Sequence, residues 1–486
     1  MQAKKVFALA GLAALLALFV LAAIFLYDEP LSPVSEQALH YQVPSVPPEE
    51  NAFIAQMGFS APAGSDFIRV GEERVRLLAQ GIAPPPDEAS LWFHGAPSDL
   101  CYCTNLNAPK CLEGIRAIRE KAENIRQGIE ENREMTERYL KIMSLPVYAN
   151  VFVNDTLSAP GDIFFYVPEN DRLSSASQFL TARALLDIQE GRIAEGLAWM
   201  AKNQTLFRKI YAAKEATFVD KLTAIRQIQM QTMLLGHLIA QNALRDQAEN
   251  ARALLTPLEN PKEHYLEARW REHVETLNDQ FYYGLANLLE SDLFDRDRDE
   301  EIGYGQKLRA YFMYYFLHKK NMSTNLKSEF LNHEIALIHE TPLPRLAAER
   351  KILREKIRER VCGKAPEDSF ACKHPWRNYV GEFDHRRYPT LWINHYLFEI
   401  LDVDATIRLT RAQLEYQLAV KNHQGAPADV PQVLATLGPE TFNPYTEQPF
   451  EWNPEKGSIG FLPAAPDDGS ARLWKDKERV EARLRP

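Results

Sequence analysis

The chain has 486 residues, 45% of them apolar and 25% charged, with 30 Pro against 22 Gly. That composition excludes a disordered, collagenous or small disulfide-scaffold protein and supplies material for two or three compact units. The 56 Lys and Arg against 66 Asp and Glu leave a net charge of -10, which excludes a broad affinity for nucleic-acid phosphates.

Residues 1–5 carry Lys4 and Lys5, and the 22 positions from Val6 to Tyr27 then run without a charge. As a helix this run is about 33 Å long at about 1.5 Å per residue, enough to cross a bilayer core. Basic residues stay on the cytoplasmic side and Asp28 and Glu29 follow the run, so the expected topology has a cytoplasmic tip, a single span over 6–27 and everything later outside. In a bacterium this is an inner-membrane protein with a periplasmic body, and membrane lipid is its directly implied partner. The alternative is a cleaved signal peptide cut after Ala22. The length of the run exceeds an ordinary signal h-region, which favours a retained signal-anchor.

Residues 28–66 hold prolines at 30, 33, 44, 47, 48 and 62 and read as an extended stalk. Within it Phe53, Ile54, Met57 and Phe59 form a short helical patch expected to dock on the body. Residues 67–150 read as an N-terminal helical region, with helices over Arg69 to Gln80 and Cys111 to Ser144 separated by Pro84 to Pro86 and a Cys loop. Residues 151–172 read as a connection, either a short hairpin or an extended segment.

From 173 to 421 the chain is a series of amphipathic segments almost without internal Pro or Gly. Ser174 to Glu190 and Ile193 to Tyr211 form a helical hairpin broken by Glu190-Gly191-Arg192. Further segments follow at Ala216 to Leu244, Lys262 to Leu293, Gln306 to Leu317, Ser328 to His339, Arg345 to Arg360 and Trp392 to Val420. The first pair is tetratricopeptide-like, but no 34-residue repeat continues through the later helices, so an irregular array of antiparallel helices is expected. Residues 422–463 end in a β-hairpin, Gln448 to Trp452 and Ser458 to Leu462 around an Asn-Pro-Glu-Lys-Gly turn, and 464–486 read as a charged helix or frayed tail. The fold class is therefore all-α with a small C-terminal β-hairpin.

The five cysteines suit an oxidising compartment. Cys362 and Cys372 are expected to pair, as are two of Cys101, Cys103 and Cys111, and a bridge over such a loop contributes about 2–3 kcal/mol. The three thiolates of the 101–111 loop also suit zinc, but that loop supplies no second CxxC and no His at ligand spacing.

Asp295, Asp297 and Asp299 match positions 1, 3 and 5 of a calcium loop, yet Glu300 stands where Gly is needed and Gln306 where a bidentate Glu is needed, so the segment reads as a solvated turn. His333 and His339 are six apart, about 120° around a helix, and do not form a zinc pair. Glu290-Ser291 matches the catalytic pair of lytic transglycosylases without the Gly-Leu-Met-Gln that follows it there. No nucleophile elbow, Ser-x-x-Lys, Walker or dinucleotide fingerprint stands in a suitable context, so no catalytic residue or cofactor is assigned. The aromatic stretch Ala310 to Lys320 reads as core. His374, Trp376, Arg377, Tyr379, Arg386 and Arg387 crowd one loop and form a candidate recognition surface for a carboxylate-bearing or glycan ligand.

The stretches NAFIAQMGFSAPAGSD, the W-F-H-G-A to Cys loop, ARALLDIQEGRIAEGL, FVDKLTAIRQIQMQTMLLGHLI and DATIRLTRAQLEYQ together resemble a family of uncharacterised proteobacterial proteins with one N-terminal span and a helical periplasmic body. That resemblance implies no activity. Leu409 to Phe461 is also similar to the distal part of type II secretion major pseudopilins, whose loop reads D-P-[FY]-T-G-x-P-[FLY]. Here it reads Asn443, Pro444, Tyr445, Thr446, Glu447, Gln448, Pro449, Phe450. Asn replaces an acid that belongs to the calcium region in pseudopilins, and the Gly is missing, so a structural hairpin without calcium is expected. The chain also lacks a prepilin peptidase site. The expected function is a membrane-anchored scaffold or envelope-assembly protein with protein partners in the inner membrane or periplasm; the alternative is a periplasmic enzyme acting on envelope polymers, for example by glycan cleavage.

Overall fold

The computed structural model describes residues 27–80, 118–151, 167–290, 320–342, 391–422, 429–463 and 479–484, with the isolated positions 16, 82, 84, 91 and 345. In chain order the helices are α1 (Pro33–Leu39), α2 (Ala52–Met57), α3 (Phe67–Ala79), α4 (Ala122–Glu131), α5 (Arg133–Ser144), α6 (Val167–Gln189), α7 (Ile193–Ala212), α8 (Phe218–Ala240), α9 (Ala248–Leu254), α10 (Pro261–Glu290), α11 (Lys320–Glu340), α12 (Leu391–Asn422) and α13 (Val430–Thr436). The strands are β1 (Glu451–Asn453), β2 (Ser458–Phe461) and β3 (Val480–Arg483). The protein is mostly helical with a small three-stranded antiparallel sheet at its C-terminal end. Among the described residues no helix is long and apolar enough to cross a membrane, and the apolar run 6–27 lies outside them except at Leu16 and Tyr27.

The chain divides into two compact units. The first comprises Met1–Tyr41, Glu272–Glu340 and Ala348–Leu391; the second comprises Gln42–Arg271, Thr341–Ala347 and Trp392–Pro486. The helices expected as one array over 173–421 are thus shared between them.

Where the prolines of 28–66 suggest an extended stalk, the chain instead forms α1, a single 3-10 turn at Pro48–Glu50 and α2. Pro33 and Pro48 occupy the first positions of their turns, where a helix has no use for the missing N–H, so these prolines start helices. The patch at 52–57 does dock: every residue of α2 is buried. A helix covered on all sides needs its ends satisfied internally. Asn51 does this at the start, its side-chain oxygen accepting from the amides of Phe53 and Ala149 at 3.0 Å each and its amide donating to the Ala149 carbonyl at 2.9 Å. Arg138 of α5, 4% exposed, serves the loop after α2, donating to the carbonyls of Phe59, Ala61 and Pro62. Backbone-to-backbone packing of α2 on α3 rests on Gly71, where an added Cβ would stand 2.0 Å from the Ile54 carbonyl oxygen.

The helix expected over 111–144 breaks at Asn132, between α4 and α5, where the Asn132 side chain donates back to the Gly128 carbonyl at 2.7 Å. The Glu190-Gly191-Arg192 turn reverses the chain as expected, with Gly191 at φ +89°. α6, α7 and α8 then pack through Phe179, Leu185, Leu206, Phe207, Leu234 and Leu235, all buried. A polar thread crosses this apolar layer. Tyr139 donates to Asn203, Asn203 donates to Ser177 at 2.9 Å, and Ser177 donates to Gln227 at 2.9 Å, so α5, α7, α6 and α8 are joined in turn.

At the C-terminal end the expected hairpin forms, with shorter strands and with Asn453 paired to Ser458 and Trp452 to Ile459, around a turn in which Asn453 accepts from the amides of Glu455 and Lys456. The expected charged helix or tail is corrected here: Val480–Arg483 is a third strand paired to β2. Its alternation puts Val480 and Ala482 in the core and Glu481 outward against Lys456 at 3.0 Å, and a period of two is what an exposed-edge strand requires. The sheet packs through Phe450, Ile459, Phe461, Val480, Ala482 and Leu484 on the α12 stripe Ala405, Leu409, Ala412 and Tyr416. Leu414 is buried outside this cluster, about half a helical turn around α12 from the stripe.

In the loop before the sheet, the φ of Glu447 is +56°. The loop therefore keeps a backbone shape that favours Gly while carrying a β-carbon there. Replacing Glu447 by Gly is predicted to raise stability by about 0.5–1 kcal/mol, read as a higher urea midpoint at unchanged m. Asn51→Ala is predicted to lower it by about 2–4 kcal/mol, since it removes a cap and leaves both backbone groups of the buried Ala149 without their partner; a loss under about 1 kcal/mol in the same melts would show that another group takes over.

Candidate functional site

The site residues nominated by the sequence fall outside the described residues. This holds for Cys101, Cys103, Cys111, Cys362 and Cys372, for Asp295, Asp297 and Asp299, and for His374, Trp376, Arg377, Tyr379, Arg386 and Arg387. His333 and His339 both lie on α11. Among the described residues no group of three His, Cys, Asp or Glu side chains is placed to hold a metal ion.

The described chemistry gathers in the second unit, where α7 ends, α8 begins and α10 begins. Thr217 and Asp220 form a capping box at the start of α8: the Thr217 hydroxyl accepts from the Asp220 amide at 3.2 Å and the Asp220 carboxylate accepts from the Thr217 amide at 3.0 Å. The same carboxylate, 2% exposed, also accepts from the Thr217 hydroxyl at 2.8 Å, from Asn150 at 2.9 Å and from Asn170 at 3.4 Å. Gln56 of α2 donates in turn to Asn170.

One residue further on, Lys221 is buried, and its Nζ reaches Glu267 Oε2 at 3.3 Å. His264, Glu267 and Arg271 are spaced at three and four residues on α10 and share a face. His264 Nδ1 lies 3.0 Å from the same Glu267 oxygen, so the acceptor-only carboxylate fixes that nitrogen as the donor. Arg271, 1% exposed, donates to the Asn150 carbonyl at 2.6 Å and stands 3.8 Å from Glu215. Tyr211, from the last turn of α7, meets the His264 ring edge-on at 4.9 Å. Its hydroxyl is buried without a hydrogen-bond partner among the described residues.

Burial sets the electrostatics and the neighbours modify it. It pushes the Lys221 ammonium below the usual lysine range, against the pull of Glu267. For Glu267 burial works upward, but the His264 hydrogen bond and the Lys221 charge outweigh it and hold the carboxyl below its ordinary value. Burial, then the charges of Asp404 and Glu267, raise Tyr211. Asp404 is raised by burial although Arg408 at 2.7 Å and the Leu258 amide at 2.7 Å both favour its charged form. The result is an imidazole oriented by a carboxylate, an ammonium behind that carboxylate, and a neutral phenol beside the ring. Such a set can hold and pass a proton.

Sequence reasoning passed over every member of this cluster. One signal was present: Thr217-x-x-Asp220 ahead of an apolar run is a capping-box pattern, and it places Lys221 in the first turn of α8.

On α12, Glu399 is 5% exposed, and burial pushes its carboxyl up to about 7, with Arg226 opposing. In the unfolded chain a glutamate titrates at about 4.3, so between these pH values the folded state binds more protons and stability falls as pH rises. The contribution is complete below the unfolded value and lost as pH passes through the folded one. Relative to Glu399→Gln, the wild type is predicted to lose about 2–4 kcal/mol between about pH 4 and pH 8, measured by urea melts across that range. A constant difference between the two proteins would show that Glu399 does not titrate there.

Comparison with protein-family models, with curated proteins and with solved structures finds no match for this chain.

Proposed function

We propose that the chain is a membrane-anchored periplasmic scaffold or envelope-assembly protein, with its N-terminus cytoplasmic, residues 6–27 in the inner membrane and a helical body that binds protein partners. The observation that carries this reading is the way the chain leaves the apolar run. Asp28, the first residue after it, accepts from the amides of Asn321 at 2.8 Å and Met322 at 3.1 Å, so folded structure begins where the run ends. A first unit that begins this close to the run suits a protein that works on membrane-resident partners. The paired helices α6 and α7 support reading the body as an irregular, partly tetratricopeptide-like array, an architecture that offers grooves for other chains. The loop at Asn443 to Phe450 supports the pseudopilin likeness in backbone shape through Glu447, and there Asn443 spends its side-chain oxygen on the Tyr445 amide at 3.0 Å.

A second reading, a periplasmic enzyme acting on envelope polymers, is favoured by the His264, Glu267 and Lys221 cluster. The two are separated by one set of proteins: full-length wild type and the variants His264→Ala and Glu267→Gln, purified from detergent-solubilised membranes. The scaffold reading expects the same inner-membrane or periplasmic proteins to co-purify with all three. Cleavage of isolated envelope glycan by the wild type and by neither variant would establish the enzyme reading. A reporter fused after Pro486 is expected to be active only in the periplasm, and cytoplasmic activity would overturn the orientation.

A further inference from the structure

Residues 28–38 are fastened to α11 through a series of polar side chains. Asp28 caps the start of α11, as the Asn321 and Met322 bonds above describe, and its carboxylate also accepts from the Glu29 amide at 3.0 Å. One turn further along α11, Asn325 accepts from the Ser32 amide at 2.6 Å and donates to the Pro30 carbonyl and to Glu29 Oε1, both at 2.8 Å. Both of its amide hydrogens and its carbonyl are therefore used on the same four-residue stretch. One turn further again, Ser35 and Ser328 share a hydrogen bond of 2.8 Å, and Ser328 continues to His273 Nε2 of α10 at 3.0 Å. The two residues that α1 buries, Ser35 and Ala38, are small and fully covered, which lets the helix backbones approach.

A flexible tether needs none of this. Gly/Ser-type linkers keep their backbone groups in water, whereas here the backbone amide of Ser32 and the carbonyl of Pro30 are both claimed by one distant side chain. We propose that residues Asp28 to Ala38 are a fixed joint, locked by Asn325, that transmits the position of the apolar run to α11 of the same unit instead of letting that helix swing on a loose tether. The proposal deepens the anchored reading and rests on it for its membrane meaning; the joint itself rests on the contacts alone.

The test is hydrogen exchange of the full-length chain in lipid nanodiscs, with Asn325→Asp and Asp28→Asn as variants. Asn325→Asp keeps the acceptor but cannot donate, and it brings a second carboxylate up to Glu29; Asp28→Asn is the milder change should the first not fold. In the wild type the amides of Ser32, Asn321 and Met322 are expected to be protected. In either variant exchange across 28–40 and 321–325 is expected to rise about tenfold or more, with peptides from 193–240 unchanged. Fast exchange of Ser32 and Asn321 in the wild type, or no change in a folded variant, would overturn the joint. Protected amides in a chain that alkaline carbonate washes off the membrane would support the joint and remove the anchor.

Discussion

The second unit depends on a single buried carboxylate. Asp220 is almost wholly withdrawn from water, and a charge there is tolerable only when hydrogen bonds replace its hydration. Its partners come from four places in the chain: Thr217 at the helix start, Asn150 from the segment after α5, Asn170 from α6 and, through Asn170, Gln56 from α2. No apolar contact could select these segments so narrowly, because apolar packing is indifferent to which side chain fills a space as long as its volume is right. The same Asn150 offers its carbonyl to Arg271, which carries the order set by Asp220 into the first turns of α10.

That order positions the charged cluster. His264, Glu267 and Arg271 lie on the α10 face that Arg271 ties down, and Lys221 follows Asp220 directly in sequence. The cluster's electrostatic character comes from its depth. Burial displaces the Lys221, Tyr211 and Asp404 equilibria in the direction that disfavours charge, and Glu267 alone is kept ionised by two neighbours on one oxygen. The framework that builds the unit is thus also the framework that orients its most reactive groups.

The first unit uses different chemistry for a similar end. The strap from Asp28 to Ala38 is joined to α11 by a carboxylate, an asparagine amide and two serine hydroxyls. Polar fastening of this kind specifies register more sharply than it stabilises, since each such bond nets only about 0.5–1.5 kcal/mol against water. Position rather than strength is what the strap supplies.

How much of this was legible can be judged element by element. The 3.6-residue apolar period alone located α6, α7, α8, α10 and the long α12, and Gly191 and the Asn453 to Gly457 turn marked where the chain reverses, because periodicity and turn chemistry are local properties. The prolines at 33 and 48 misled, since a helix start and an extended stalk call for the same residue, and only neighbouring structure chooses between them. Val480 to Arg483 is too short to declare its period without β2 beside it. The cluster around Glu267 was invisible for a deeper reason. A sequence shows that a buried Asp, Asn or Lys must find a partner, but the partners here lie from three to more than a hundred residues away, as Thr217 does from Asp220 and Asn150 from Arg271. By itself the sequence determined the long helices α6, α7, α8, α10 and α12 and the turns at Gly191 and at Asn453 to Gly457. Which polar groups meet was decided only by the tertiary structure, because hydrogen-bond pairing depends on distance in space and leaves no period along the chain.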